Sequence, residues 1–380
     1  MSRTLQSASV ALLLSGASSF VPSSLSSYSI RSRLSAEASG DAVARVQGTK
    51  QAEETVEGKS ILACPVSLSR LDILGEDGML RSSEREDVEY TVRDSYLDLV
   101  STAKRNIPIW EYSLGDLVKT ENFRNPFLSF VYDRGYRQNF ARAGFPGKEK
   151  EFADISEFFE PLASEDGIAV DLSCGPGFMG REIARSGKFG RLVFADYSES
   201  MLREAVEKAQ DEGVTIGSLG ETRGEGTGDG SASKGDGVAG ARLLLGQEQK
   251  EREGGTQSGG KSGEGDAQTR TAFVRVDVAQ LPFVEGSFDA IHAGAALHCW
   301  PSLEESIREV FRVLKKGGRF YASTFKVGGW NGCILPGLRR TSFFYFESKE
   351  ELQKYLLAAG FSKVDVRQEG QGCLIAKAIK

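Results

Sequence analysis

The chain has 380 residues, 26% of them charged, a net charge of −6 and only two histidines. A protein that grips duplex nucleic acid usually carries a basic excess, and this composition has none. Five cysteines, Cys64, Cys174, Cys299, Cys333 and Cys373, are odd in number and widely spaced, offering neither a disulfide framework nor a Cys-x-x-Cys metal knuckle.

The first forty residues read as a targeting segment. No acid precedes Glu37, Arg3, Arg31 and Arg33 are basic, and serine is abundant. The apolar core Val10-Ala11-Leu12-Leu13-Leu14 is too short to span a bilayer. A signal-like core, an aromatic at Phe20 and then a Ser- and Arg-rich tail resemble the two-part presequence of algae with secondary plastids; a plain secretory signal is the alternative. Residues 1–48 are accordingly expected to be a disordered presequence, 49–120 an N-terminal extension and 121–380 the main domain.

Between Asn125 and Phe140, Tyr132, Arg134, Tyr136, Arg137 and Phe140 recur at helical spacing. The segment reads either as a lid over a site or as an amphipathic helix packed on a sheet edge.

The next segment is the most informative. Ile168-Ala-Val-Asp-Leu-Ser-Cys-Gly-Pro-Gly177 is a short apolar run ending in Asp171 that breaks into a turn carrying Gly175 and Gly177, with a helical stretch after it. A strand, a glycine turn and a helix open a nucleotide-binding α/β unit, because glycine admits close approach of the backbone and the helix N-terminus offers free N–H groups. A dinucleotide dehydrogenase would want glycine where Ser173 stands.

A second strand, Arg191 to Ala195, ends in Asp196, an acid placed to accept from ribose hydroxyls. A helix from Ser200 to about Asp211 follows. Residues 217–269, rich in Gly, Ser, Glu, Lys and Asp, then read as a disordered insertion, because such a composition buries too little apolar surface to offset its ordering entropy. A partner-binding loop centred on Ala239 to Leu245 is the alternative. A third strand from Ala272 carries Asp277 at its end, and a fourth segment, Ser287 to Trp300, holds both His292 and His298. An amphipathic helix (Leu303 to Leu314), a Lys-Lys-Gly-Gly stop, a strand (Arg319 to Thr324) and an aromatic-rich stretch, Lys326 to Tyr345, complete the pattern. Segments near 363–367 and 373–378 read as a terminal antiparallel hairpin.

The order of these pieces resembles the class I S-adenosylmethionine-dependent methyltransferases (methyltransferase type 11 domain). The segments 290–302, 129–140 and 144–147, with Ser173 in the turn, are similar to the plastid-located group of plants and algae. The resemblance implies an α/β, Rossmann-like seven-stranded mixed sheet with helices on both faces and strand order 3-2-1-4-5-7-6. It implies S-adenosyl-L-methionine as cofactor, with Asp171, Ser173, Gly175, Gly177 and Gly294 at the methionine and ribose end and Asp171 on the α-ammonium. Asp196 would take the ribose, Tyr197 and Met201 the adenine face, and Asp277 and the Val278 N–H the adenine edge. Tyr132 or Arg137 would close over the cofactor carboxylate. His298 would face the acceptor as general base or orienting group, with packing beside Trp300 the alternative; His292 and Asp289 are expected to be structural. Relatives carry a small zinc ribbon where this chain has Cys64-Pro65-Val66-Ser67, and one cysteine cannot hold tetrahedral zinc, so a metal-free remnant is expected.

These expectations converge on methyl transfer in the plastid to a small hydrophobic or aromatic acceptor, quinone- or lipid-like. The partner is a small molecule rather than nucleic acid, with peripheral contact with a plastid membrane or lipid bodies as a further expectation. An RNA base methyltransferase and a cofactor-binding pseudo-enzyme with a regulatory role are the alternatives.

Overall fold

A computed structural model describes residues 60–101, 140, 141, 143–217, 235–246, 268–300, 302–327 and 345–380, and among these described residues it has eleven strands and six α-helices. The presequence, Tyr132, Arg134, Tyr136 and Arg137, most of the aromatic acceptor segment and residues 218–234 and 247–267 of the insertion lie outside the described residues. The described residues belong to one compact unit, Thr55–Lys380.

Three short strands, β1 (Ile73–Leu74), β2 (Met79–Arg81) and β3 (Glu89–Thr91), form a small antiparallel sheet. The main sheet comprises β4 (Leu97–Asp98), β5 (Ser164–Leu172), β6 (Phe189–Asp196), β7 (Arg270–Arg275), β8 (Phe288–Ala293), β9 (Leu314–Phe325), β10 (Lys363–Glu369) and β11 (Cys373–Ile379). Its order is β10-β11-β9-β8-β5-β6-β7-β4. Seven of these strands follow the expected order. The eighth, β4, is a correction: two residues pair parallel to β7 at the edge, Leu97 with Val274 and Asp98 with Arg275. β11 alone runs against its neighbours, giving the terminal hairpin.

Strand alternation sends Ile168, Val170 and Leu172 to one face and Ala169 and Asp171 to the other. One face is covered by α1 (Lys148–Phe159), α2 (Phe178–Arg185) and α3 (Glu199–Asp211). In α3, Ser198 caps the first turn by accepting from the Met201 N–H, and Leu202, Ala205, Val206 and Ala209 recur at helical spacing toward the sheet. The other face is covered by α4 (Asp236–Leu245), α5 (Leu303–Val313) and α6 (Lys349–Ala359).

Helix α4 corrects the reading of 217–269 as disordered throughout. Ala241, Leu243, Leu244 and Leu245 are buried against β7 and the edge strand, and the Ile61 N–H donates to the Leu244 carbonyl at 3.0 Å. Eight apolar or small residues between Gly237 and Leu245, interrupted only by Arg242, suffice for one packed helix; averaging over the whole insertion hid them. The Lys-Lys-Gly-Gly stop is drawn into β9, where the pairing to β8 shifts register between Phe288 and Ala290. Asp289 accepts from the Ile168 N–H at 2.8 Å and pairs with Lys315, so its role at the strand entry is structural, as expected.

Candidate functional site

A cleft opens at the carboxyl ends of β5, β6, β7 and β8. It lies where the strand order reverses on either side of β5, the place where open α/β sheets hold their ligands. Ser173, Gly175, Asp196, Tyr197, Met201, Asp277, Val278 and Gly294 line it, joined by Val276, Ala295, Ala296, Cys299 and Trp300. Eight of the sequence-derived cofactor residues thus meet in one place. Asp171 and Gly177 do not line the cleft.

The turn after β5 is a left-handed one, with φ of 58° at Ser173, 54° at Gly175 and 72° at Gly177. The Gly175 N–H donates to Asp196 Oδ2 at 2.8 Å, and the Ser198 N–H to Oδ1 at 2.8 Å, so Asp196 braces the turn from the neighbouring strand. Burial still outweighs these bonds and pushes its carboxyl up to about 6, with the nearby Asp171 charge adding to the rise. Gly177 instead serves packing: a Cβ there would stand 3.1 Å from both the Phe194 ring and the Ala205 Cβ.

Tyr197 is held from below. Arg275 donates from Nε to the Tyr197 carbonyl at 3.0 Å and sets its guanidinium 5.4 Å from the ring centre, while Asp98 of the edge strand pairs with Arg275 at 3.2 Å. Asp277 caps a single 3₁₀ turn by accepting from the Ala279 N–H at 3.0 Å. Burial pushes the Cys299 and Cys174 thiols well up, which makes both inert filler rather than nucleophiles.

Asp171 is committed to the protein. One carboxylate oxygen accepts from the Gly180 N–H at 2.8 Å, and the other meets His292 Nδ1 at 2.7 Å. These bonds give Asp171 a supporting place beneath the turn and outside the cleft lining, so that of the two expected forms of its hold on an α-ammonium, directly or through water, the one through water is left. Burial works against a charged imidazole at His292, but Asp171, with Glu151 beyond the ring, outweighs it and holds His292 up to about 9.

His298 is the other correction of placement. It sits on a single 3₁₀ turn, Leu297–Cys299, only 4% exposed and outside the cleft lining. Its ring is edge-on to Phe325 (4.8 Å between centres) and roughly parallel to Tyr345 (6.0 Å). Burial pushes the imidazole down to about 3, so it is neutral at physiological pH and a poor proton acceptor.

Sequence reasoning missed Trp300 as a lining residue, Arg275 and Asp98 behind Tyr197, and Glu151 behind Gly294. A tryptophan two residues past His298 was the one local signal. The others are joined only by the fold. At the N-terminal extension, Cys64 Sγ accepts from the Val66 and Ser67 N–H groups (3.4 and 3.3 Å) and contacts Tyr90 Oη at 3.2 Å, and these bonds lower its thiol despite burial. Among the described residues, no three His, Cys, Asp or Glu side chains are grouped to hold a metal ion.

Comparison with known proteins places this geometry in context. Residues 254–322 match the family model described as a methyltransferase domain. Two Arabidopsis thaliana proteins, each named an uncharacterized chloroplastic methyltransferase, are 35% identical over 71% of this chain and 33% identical over 80% of it. The chain spans 63% of the length of the first and 74% of the second. A ubiquinone/menaquinone biosynthesis C-methyltransferase of Bartonella quintana is 29% identical over 26% of this chain and 46% of its own. Among solved structures, a SAM-dependent methyltransferase from Aquifex aeolicus is similar over 67% of this chain and 98% of its own, with 16% identity and a TM-score of 0.42.

Proposed function

The chain belongs to the S-adenosylmethionine-dependent methyltransferases, and on that premise we propose that it methylates a small hydrophobic or aromatic acceptor, quinone- or lipid-like, in the plastid. The observation that carries the reading is the placement of Asp196 in a cleft beside the apolar faces of Tyr197, Met201 and Val278. Asp196 is a carboxylate pushed up to about 6, at the end of β6 and facing the cleft beside Tyr197 and Met201. Such an acid gains by accepting from a vicinal diol, while Tyr197, Met201 and Val278 offer apolar faces to a base and Asp277 an acceptor at its edge.

In this reading the chain's residues bind and align. The turn at Ser173 and Gly175 cradles the methionine end, and Gly294 and Ala295 supply a thin wall without bulky side chains. Bound S-adenosylmethionine would supply an activated sulfonium methyl group to an acceptor held in line with it, leaving S-adenosylhomocysteine. Proximity and alignment provide most of the acceleration such a displacement needs. The Cys299 thiol, kept protonated by burial, offers no competing nucleophile in the cleft.

The quinone class is supported by the Bartonella relative, a C-methyltransferase of ubiquinone/menaquinone biosynthesis. Plastid location is supported by the chloroplastic names of both Arabidopsis relatives and by the Arg/Ser-rich first 48 residues; the finer assignment, a secondary plastid reached by a two-part presequence, rests on that segment alone. The test is direct. Calorimetry should show the protein binding S-adenosylmethionine and its demethylated product, and quinone and lipid profiles with and without the gene should differ by one methyl group. Absence of binding to either ligand would end the reading.

A further inference from the structure

Behind the cleft wall runs a row of buried polar groups that neither substrate binding nor methyl transfer accounts for. Asp171 of β5, His292 of β8, Glu151 of α1 and Ser323 of β9 are all buried. His292 Nδ1 meets Asp171 at 2.7 Å, and its Nε2 faces Glu151 Oε1 at 4.0 Å. Ser323 Oγ, 3.5 Å from Glu151 Oε1, accepts from the Ala295 N–H at 2.8 Å, and Ala295 is a cleft residue in the strained left-handed region (φ 50°). The Tyr321 ring stacks on His292 at 5.8 Å, Cys373 lies near Glu151, and the Asp171 charge is felt at the Asp196 carboxyl.

Gly294 makes the arrangement matter for the cleft. A Cβ at this position would stand 2.9 Å from His292 Cε1 and 3.6 Å from Glu151 Oε1. The Glu151 carboxylate therefore reaches the back of a wall that is one glycine backbone thick. Two carboxylates and one imidazolium sum to a single negative charge, and such a charge shielded from water acts at a distance that would silence it in bulk solvent.

We infer that Glu151 is a positioning residue for the cationic end of the cofactor: through His292 it fixes Asp171 beneath the glycine turn, through Ser323 it fixes Ala295, and its charge behind Gly294 favours a positive group in the cleft. The inference rests on the methyltransferase reading above and deepens it. Charge rather than shape is what it assigns to Glu151, so ligands differing in charge are the probe.

Glu151→Gln keeps the size of the side chain and removes the charge. Calorimetric affinities of this variant for S-adenosylmethionine and for S-adenosylhomocysteine, which lacks the sulfonium charge, give the decisive ratio. Affinity for the former should fall roughly 5- to 30-fold and for the latter clearly less, the scale of a buried unit charge removed a short distance away. His292, followed by NMR, should titrate at lower pH than in the wild type. Ser323→Ala, which breaks the row at its other end, should weaken both ligands alike and leave the ratio unchanged; Glu151→Asp, which keeps the charge on a shorter side chain, should retain the wild-type ratio and is the readout if Glu151→Gln unfolds. Equal losses for both ligands in Glu151→Gln, or none, or a changed ratio in Glu151→Asp, would overturn the inference. A wild-type protein that binds neither ligand would instead overturn the methyltransferase reading beneath it.

Discussion

The Trp300 indole N–H donates to Ser173 Oγ at 3.0 Å, tying the turn after β5 to the loop after β8 across the cleft. Ser173 holds φ at 58°, a conformation that costs a residue with a Cβ about 1 kcal/mol or more. The indole bond offsets that cost, which explains how serine stands at a position suited to glycine. Ser173→Ala keeps the strain and loses the bond, so it should destabilise the protein by about 1–2 kcal/mol, whereas Ser173→Gly should be nearly neutral. A double-mutant cycle of Ser173→Ala with Trp300→Phe, read by denaturant unfolding, should give a coupling of about 1 kcal/mol. Additive effects would mean that the bond does not hold the turn.

Asp196 links cofactor binding to pH. Its carboxyl is raised to about 6, so its contribution to stability is present below the ordinary carboxylate range and is lost as pH rises through 6. Ribose hydroxyls bond best to the ionised form, and binding should therefore expel up to one proton near pH 6. Affinity for S-adenosylmethionine should rise as pH goes from 5 to 7, by up to about tenfold. Calorimetry at pH 6 in two buffers of different ionisation heat counts the proton released. An identical heat in both buffers, or an Asp196→Asn variant that keeps the pH dependence, would remove Asp196 from the ribose site.

The glycine turn and the acids at strand ends were legible in the sequence because each is written locally, whereas the seven-strand order came only with the family resemblance. A period-two run, a glycine where φ turns positive and an acid at the end of the run all lie within ten residues of one another. The contacts that lie between segments were not. Nothing near Ser173 announces Trp300, 127 residues away. Glu151 reads as one more acid in the first turn of a helix, where the helix dipole alone accounts for it. Two-residue β4 is too short for any period to show, yet it supplies Asp98 to the arginine beneath Tyr197.

Helix α4 makes deletion of the insertion costly. Leu244 is fully buried in the cluster that also holds Leu97, Ala272 and Val274. Leu244→Ala should cost roughly 2–5 kcal/mol, the usual range for a large-to-small change in a packed core. Removing all of 217–269 should lower the unfolding temperature further, since it strips the cover from β7. A deletion protein as stable as the wild type would show that α4 contributes nothing to the core.

His292 predicts an alkaline loss of stability. Its folded value of about 9 lies above the ordinary imidazole value, so the stabilisation is complete below about 6.5 and disappears as pH rises through 9. The wild type should therefore lose about 3 kcal/mol between pH 6.5 and 9.5, a figure that follows from the size of the shift. Urea midpoints measured across that interval read the slope directly. In His292→Gln the alkaline limb should flatten. A wild-type profile flat from pH 6.5 to 9.5 would show that the imidazolium is not held between its carboxylates.

His298 carries the opposite sign, and with it a prediction about the chemistry. Its imidazole is pushed down to about 3, so the neutral form stabilises the fold above about 6.5 and that stabilisation is lost as pH falls below it. Among Phe325 and Tyr345 the ring fills space as a phenyl group would. His298→Phe should therefore keep the fold, flatten the acid limb of the stability profile between pH 6.5 and 4, and leave turnover within about threefold of the wild type. A general base would behave otherwise: its removal costs roughly 10²–10⁴-fold. His298→Gln separates the two causes, since it retains a hydrogen-bonding group without a titrating nitrogen. If both variants fold and bind cofactor normally yet lose turnover on that larger scale, His298 takes the acceptor's proton after all, and closure of the site must raise its basicity.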